Sequence, residues 1–237
     1  MAFKFSLNFT RIVSGLGFLA AVSTCLAADN DYPNKPVSVV VAYAPGGQGD
    51  VFARLVSEKL NTAYKQSVVV DNKPGVSGTI GTRFVAKAKN DGYTLLLGQT
   101  GEITVNRLLI KDMGYDPMKE LVPVVLIGNA PLIMLAPVDA PYNTVAEFIQ
   151  QVKAKPDQFS YGSVGAGTPG HLSAVALNLG AKINMVHIPY KGVGPLLSDL
   201  MAGRLQAFFS SASAAMPHIK AGTVKARCSS TPATAST

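Results

Sequence analysis

Three glycine-rich turns hold the residues best suited to chemistry: Pro45–Asp50, Pro74–Gly81 and Gly165–Gly170. Each follows a strand-like run and opens a helix-like one. Glycine lets a backbone approach a ligand closely. A helix N-terminus adds unpaired N–H groups and a partial positive charge. Together these bind anionic oxygens without an arginine. Any one turn could serve only to reverse the chain, but three in one chain favour anion sites.

The third turn also matches Gly-x-Gly-x-x-Gly at Gly165, Gly167 and Gly170, the form of a dinucleotide-binding turn. The next strand runs through Met185-Val186-His187-Ile188-Pro189-Tyr190 and has no acid for a ribose hydroxyl, which argues against that reading. Other catalytic patterns are absent as well. Ser77 is followed by Gly78-Thr79, so no Gly-x-Ser-x-Gly elbow forms. His171, His187 and His218 lack metal-ligand spacing and a local carboxylate. The residues imply neither a cofactor nor a metal. His187 fits a core histidine, and Tyr161 fits packing. His171 opens a helix beside the glycine turn, while Tyr43, Tyr190 and Lys191 stand at strand ends facing a cleft.

The elements that hold these turns alternate as β and α. Val37–Ala42 reads as a buried strand, followed by a helix N-capped by Asp50 with Phe52, Leu55, Val56, Leu60 and Ala63 on its apolar face. Strands follow at Val68–Val70, Tyr93–Leu97 and Pro131–Pro137. Thr144-Val145-Ala146-Glu147 is a capping box that opens a helix with the stripe Val145, Phe148, Ile149 and Val152. Further strands are expected at Phe159–Val164, Ile183–Pro189 and Leu205–Ser210, and helices at His171–Leu179, Pro195–Ala202 and Ser213–Ala221. The pattern predicts an α/β fold of two βαβ arrays around largely parallel sheets, with the cleft between two lobes. Lobe 1 spans 29–128 and lobe 2 spans 129–226.

The 237 residues include 48% hydrophobic and 15% charged side chains, enough apolar content for a core. Residues 1–28 read as a secretory signal: Lys4 and Arg11, an apolar run, and small residues at Ala27-Ala28. Cleavage takes Lys4 and Arg11 from the 21 basic residues, against 14 acidic ones, so the formal net charge falls from +7 to +5. Only Cys228 then remains, which precludes an internal disulfide. The basic residues are scattered, unlike a nucleic-acid footprint. Leu121–Pro137, the longest later apolar run, is interrupted by Pro123, Gly128, Asn129 and Pro131, so no mature membrane span is expected.

A set of ordered motifs then carries a family resemblance. These are Tyr32-Pro33-Asn34-Lys35-Pro36, Val39 through Asp50, Asn72-Lys73-Pro74-Gly75, Asp91 through Leu96 and Tyr115-Asp116-Pro117. Val186-His187-Ile188-Pro189-Tyr190-Lys191-Gly192 and Pro217 through Gly222 complete it. In this order the chain resembles the Bug-type extracytoplasmic solute receptors of tripartite tricarboxylate transporters, from about residue 32 to about 226. The resemblance implies a periplasmic-binding-protein type II-like fold of two α/β lobes. It implies a non-enzymatic, monomeric periplasmic receptor that delivers a small di- or tricarboxylic or aromatic acid to membrane transporter subunits. A secreted hydrolase or transferase would require a nucleophile with a bonded base in the cleft. A sensor for a signalling partner would share the receptor's sequence.

The resemblance places Tyr43, Gly46, Gly47, Gln48 and Asp50 in one ligand loop and Ser77, Gly78 and Thr79 in another. Gln99 and Thr100 extend that wall, and Ala166, Gly167, Thr168, His171 and Tyr190 face it. Ser210 stands where members of the family often carry an Asp, so an acid without an α-amino group is expected over an amino acid. Members also continue well past this point. Residues 227–237, rich in Ser, Thr and Ala, are read as an aberrant, disordered tail after a frameshift near residue 226. The closing C-terminal part of the fold would then be missing.

Overall fold

The computed structural model describes residues 32–229. The secretory segment therefore lies outside the described residues, as does the tail beyond Ser229. Of the described residues, 35–229 form one compact unit built on two sheets.

The first sheet is small and wholly parallel. β1 (Val37–Val41) lies between β2 (Val68–Asn72) and β3 (Thr94–Leu97). Its β-branched run is buried on both faces, as expected of a central parallel strand. Val37, Val39 and Val41 pack with Ala53 and Val68 on one face. On the other face, Gly81 lets helix α2 (Thr79–Ala86) settle onto Ala42: a Cβ on Gly81 would lie 2.8 Å from the Ala42 Cα and the Lys73 carbonyl oxygen.

Helix α1 (Gln48–Tyr64) corrects the sequence reading twice. Gly47, not Asp50, is its N-cap. Asp50 sits in the first turn, where its Oδ2 accepts bonds from the Gly46 N–H (3.1 Å) and Arg54 Nε (3.0 Å). The buried face is Gly49, Asp50, Ala53 and Ser57, while Leu55 is 54% exposed and Ala63 is exposed. Close approach to the sheet needs small residues, and a Cβ on Gly49 would already lie 3.1 Å from Val41 Cγ1. A π turn (Gly101–Val105) runs into α3 (Asn106–Leu109), and α4 (Pro117–Glu120) follows. None of these was expected.

The second sheet has five strands in the order β6-β5-β7-β4-β8. These are β4 (Leu132–Pro137), β5 (Ser160–Ser163), β6 (Val186–Pro189), β7 (Ala207–Ser211) and β8 (Val224–Ser229). β5 is parallel to β6 and β7, while β4 is antiparallel to β7 and β8. Alternation along β4 feeds two cores. Met134 and Ala136 join Phe148, Val152 and Ala174 of α5 (Val145–Ala154) and α6 (Pro169–Ala181). Leu135 joins Leu196, Leu200 and Ala215 of α7 (Val193–Met201) and α8 (Ala212–Lys220). The capping box forms in part, with the Thr144 bond made and Glu147 reaching one residue past the N-cap. Thr144 Oγ1 accepts from the Glu147 N–H at 3.1 Å, and Glu147 Oε2 accepts from the Asn143 N–H at 2.7 Å. β8 runs on through Ser229, so the ordered sheet extends past Arg227, where the aberrant tail was expected to begin.

Candidate functional site

Helix ends organise the site. α1, α6, α7 and α8 all begin at one cavity, at Gly47–Gly49, Thr168–Gly170, Gly192–Val193 and Ser211–Ala214. At Gly47, Thr168 and Gly192 no side chain caps the first turn. Ser211 does cap α8, its Oγ accepting from the Ala214 N–H at 3.3 Å. Three helices thus direct uncapped N–H groups and positive dipole ends towards one space of about 70 Å³, room for several waters or a short acid. Among the described residues Lys191 is the one charged side chain on the wall, and no carboxylate lines it. The cavity is suited to an anion.

Glycines make this convergence possible. A Cβ on Gly170 would lie 2.5 Å from the Phe209 carbonyl oxygen, so only glycine lets α6 start against β7. A Cβ on Gly192 would lie 2.7 Å from Ala44 Cβ, and one on Gly165 would lie 2.5 Å from Ser77 Oγ. These two contacts join the turns that follow the two sheets.

Six of the expected residues line the cavity: Tyr43, Gly47, Gln48, Gln99, Thr168 and Ser210. The others stand behind it or apart from it. Gly46 is exposed at the loop tip, and Asp50 is spent on Gly46 and Arg54. Burial pushes the Asp50 carboxyl up, but the bonds from Arg54, the Gly46 N–H and Asn72 outweigh it, leaving the group below its ordinary range. Ser77, Gly78 and Thr79 form a second layer. The Ser77 carbonyl accepts from Tyr43 Oη (3.1 Å) and Asn106 Nδ2 (2.8 Å), and Thr79 Oγ1 lies 3.4 Å from Asn106 Nδ2. Val76, Ser77 and Gly78 all hold positive φ, at 46°, 51° and 87°, a strained backbone that this bonding fixes.

Thr100 and Ala166 are exposed and off the wall. Gly167 and His171 bond each other, His171 Nδ1 accepting from the Gly167 N–H at 3.3 Å. His171 therefore braces the glycine turn and does not line the cavity. Tyr190 is turned away by Asp199, whose Oδ2 accepts its hydroxyl at 2.6 Å. The neighbouring Lys191 takes the place on the wall expected of Tyr190. The sequence reading overlooked the starts of α7 and α8, although Lys191-Gly192-Val193-Gly194 follows a strand just as the other glycine turns do.

Ser163 also lines the cavity and was missed. Its Oγ lies 2.7 Å from His187 Nε2, a serine–histidine pair. The same hydroxyl donates to the Gly165 carbonyl (3.0 Å) and accepts from the Gly165 N–H (3.1 Å), which ties it into the turn. His187 stacks on Tyr161 at 5.0 Å and lies 4.4 Å from the His171 ring. Burial, then His171, lowers its basicity, and among the described residues no carboxylate orients it.

The chain is similar to several known proteins. The model of the tripartite tricarboxylate transporter family receptor matches residues 52–233 and so runs past Arg227. BugT of Bordetella pertussis is 34% identical over 226 residues, covering 93% of this chain and 68% of that protein. A Rhodopseudomonas palustris protein, Rpa4515, solved with adipate, is 34% identical with a TM-score of 0.82, over 84% of this chain and 67% of that one. MatC of the same organism, solved with bound malate, is 30% identical with a TM-score of 0.78, over 84% and 68%. The chain spans 64% and 68% of the length of the first two curated relatives it matches. No helix among the described residues is long and apolar enough to cross a membrane. The chain belongs to the tripartite tricarboxylate transporter receptor family and has its periplasmic-binding-protein α/β fold.

Proposed function

We propose that the chain is a periplasmic receptor that binds a small dicarboxylate in this cavity for delivery to a tripartite tricarboxylate-type transporter. The observation that carries the reading is the convergence of helix N-termini with Lys191 on a wall that has no carboxylate among the described residues. One ligand carboxylate takes the N–H groups of Gly47–Gly49 and of Gly170, since Pro169 has no N–H and the Thr168 N–H donates to the Gly165 carbonyl. Lys191, Ser163 and Ser210 face the remainder. Adipate and malate in two structural relatives belong to the same class of ligand. Two lobes, about 29–128 and 129–226, would close over it.

An amino acid is disfavoured because its ammonium group needs a carboxylate partner, and Ser210 and Gly170 offer none. The test is a thermal-shift panel of adipate, succinate, malate, benzoate and glutamate on the purified protein. A dicarboxylate raises the melting temperature in a concentration-dependent way and glutamate does not. A shift with glutamate alone, or with no acid, contradicts the reading.

The Ser163–His187 pair supports a second reading, an acyl-transfer or hydrolytic enzyme, in which the Ser163 hydrogen turns from the Gly165 carbonyl to His187 Nε2. An active-site serine probe separates the two. Labelling of Ser163 that is lost in His187→Gln favours the enzyme, and no labelling favours the receptor.

A further inference from the structure

Behind the cavity wall lies a buried acid that nothing in the binding geometry uses. Glu102, in the π turn, is fully buried. Its Oε1 accepts from the Gln99 N–H at 2.6 Å, and its Oε2 lies 2.8 Å from Tyr43 Oη. Tyr43 and Gln99 both line the cavity, so the acid is one residue removed from the bound anion.

Hydrogen counting decides how this cluster works. Tyr43 Oη has two acceptors within reach, Glu102 Oε2 and the Ser77 carbonyl, but only one hydrogen. With Glu102 ionised, one contact goes unserved. With Glu102 protonated, its O–H donates to Tyr43 Oη and the tyrosine hydrogen passes to Ser77. Every bond is then made, and the strained Ser77–Gly78 loop is held against the wall.

The other titratable groups do not neutralise this acid. Tyr115, packed beneath it, donates its hydroxyl to the Glu102 backbone carbonyl at 2.7 Å. Arg83 of α2 bonds the Met113 carbonyl at 2.9 Å. From the second sheet, Gly167 faces Gly101, and His171 lies behind Gly167. No cation pairs with the carboxyl among the described residues. Burial pushes the Glu102 carboxyl up to about 7, against smaller opposing pulls from its own and the Gln99 N–H and from Tyr43.

We infer that Glu102 is a proton-linked positioning residue, taking up a proton as the carboxylate ligand binds and so making affinity rise as pH falls. This rests on the cavity being a carboxylate site. An anion at the wall and an ionised Glu102 behind it repel each other in a dry environment. Ligand and proton therefore stabilise each other's binding by the same factor.

The test is calorimetric titration of adipate between about pH 6.5 and pH 8.5, a window above the range in which His171 and His187 charge, since burial lowers both. Wild-type binding should weaken about tenfold across it. Glu102→Gln, which keeps the shape and the donor of the protonated acid, should bind at pH 8.5 as tightly as wild type does at pH 6.5, with a flat profile. Titrating wild type at about pH 7.5 in two buffers of different ionisation heat gives a second readout that needs no variant, with net proton uptake expected. A flat wild-type profile without uptake, or an unchanged slope in Glu102→Gln, overturns the inference and leaves carboxylate binding standing. If no acid binds at any pH, both fail.

Discussion

The two sheets bury their apolar residues very differently. The five-stranded sheet is covered on both faces, with Phe148, Leu196 and Leu200 fully buried. The three-stranded sheet has one compact core, around Val39 and Val41, and much apolar surface beyond it. Val69, Ile80 and Phe84 are about half exposed there, and Val122 and Leu126 are 86% and 75% exposed in a segment with no strand partner. The cavity draws on both regions. The first sheet contributes the β1–α1 turn and the Tyr43–Glu102 cluster, and the second contributes three helix starts and Lys191. The contrast implies that the second half sets stability while the first half tunes the site.

Core truncation gives the largest expected difference. Phe148→Ala or Leu196→Ala should cost about 3–5 kcal/mol in urea unfolding, since each leaves a cavity in a sealed core. Leu55→Ala or Val69→Ala should change stability by no more than about 0.5 kcal/mol. Comparable losses from both halves would break the distinction.

Glycine turns give the next. Gly170→Ala should cost about 1–3 kcal/mol and weaken ligand binding, because its Cβ meets backbone. Gly46→Ala meets nothing within 4 Å, so only its φ of 85° matters, at about 1 kcal/mol.

The pH dependence of stability sharpens the first half's role. The folded state holds the Glu102 proton to a higher pH than the unfolded chain does. That contribution is complete below the ordinary Glu range near 4.5 and is lost as pH rises through about 7. Wild-type stability should therefore fall between about pH 5 and pH 8, by at most about 1.4 kcal/mol per pH unit, and Glu102→Gln should lose that slope. Equal slopes in urea unfolding would remove Glu102 from the account.

The smallest effect concerns the exposed segment. Val124→Lys should leave unfolding within about 0.5 kcal/mol while reducing the binding of a hydrophobic dye, since Val124 is 81% exposed. Undiminished dye binding would place the exposed apolar surface elsewhere.

Much of the fold follows from local pattern. The Thr144–Glu147 capping box, the β-branched run at Val37–Val41 and the glycine turns each encode their geometry within a few residues. The face of α1 did not, because periodicity favoured Leu55 while close packing on β1 demanded Gly49, Ala53 and Ser57. Half of the cavity was legible for the same reason. Strand–turn–helix junctions at Pro45 and Gly165 announce themselves, but the arrival of α7 and α8 depends on the order of the second sheet. Residues distant in sequence build the Glu102 cluster. Gln99 is a local partner three residues away, but Tyr43 and Ser77 join only through the tertiary fold, and a lone Glu in a glycine-flanked segment looks like a surface residue.

Lys191 allows the most direct test of the central claim, that uncapped helix ends and one lysine make an anion site. Adipate is titrated calorimetrically into wild type and Lys191→Glu at one pH and low salt. Saturable one-site binding in wild type, weakened at least about tenfold by the reversed charge, is the predicted result. Equal affinity in the two proteins, or no binding to wild type, would contradict it.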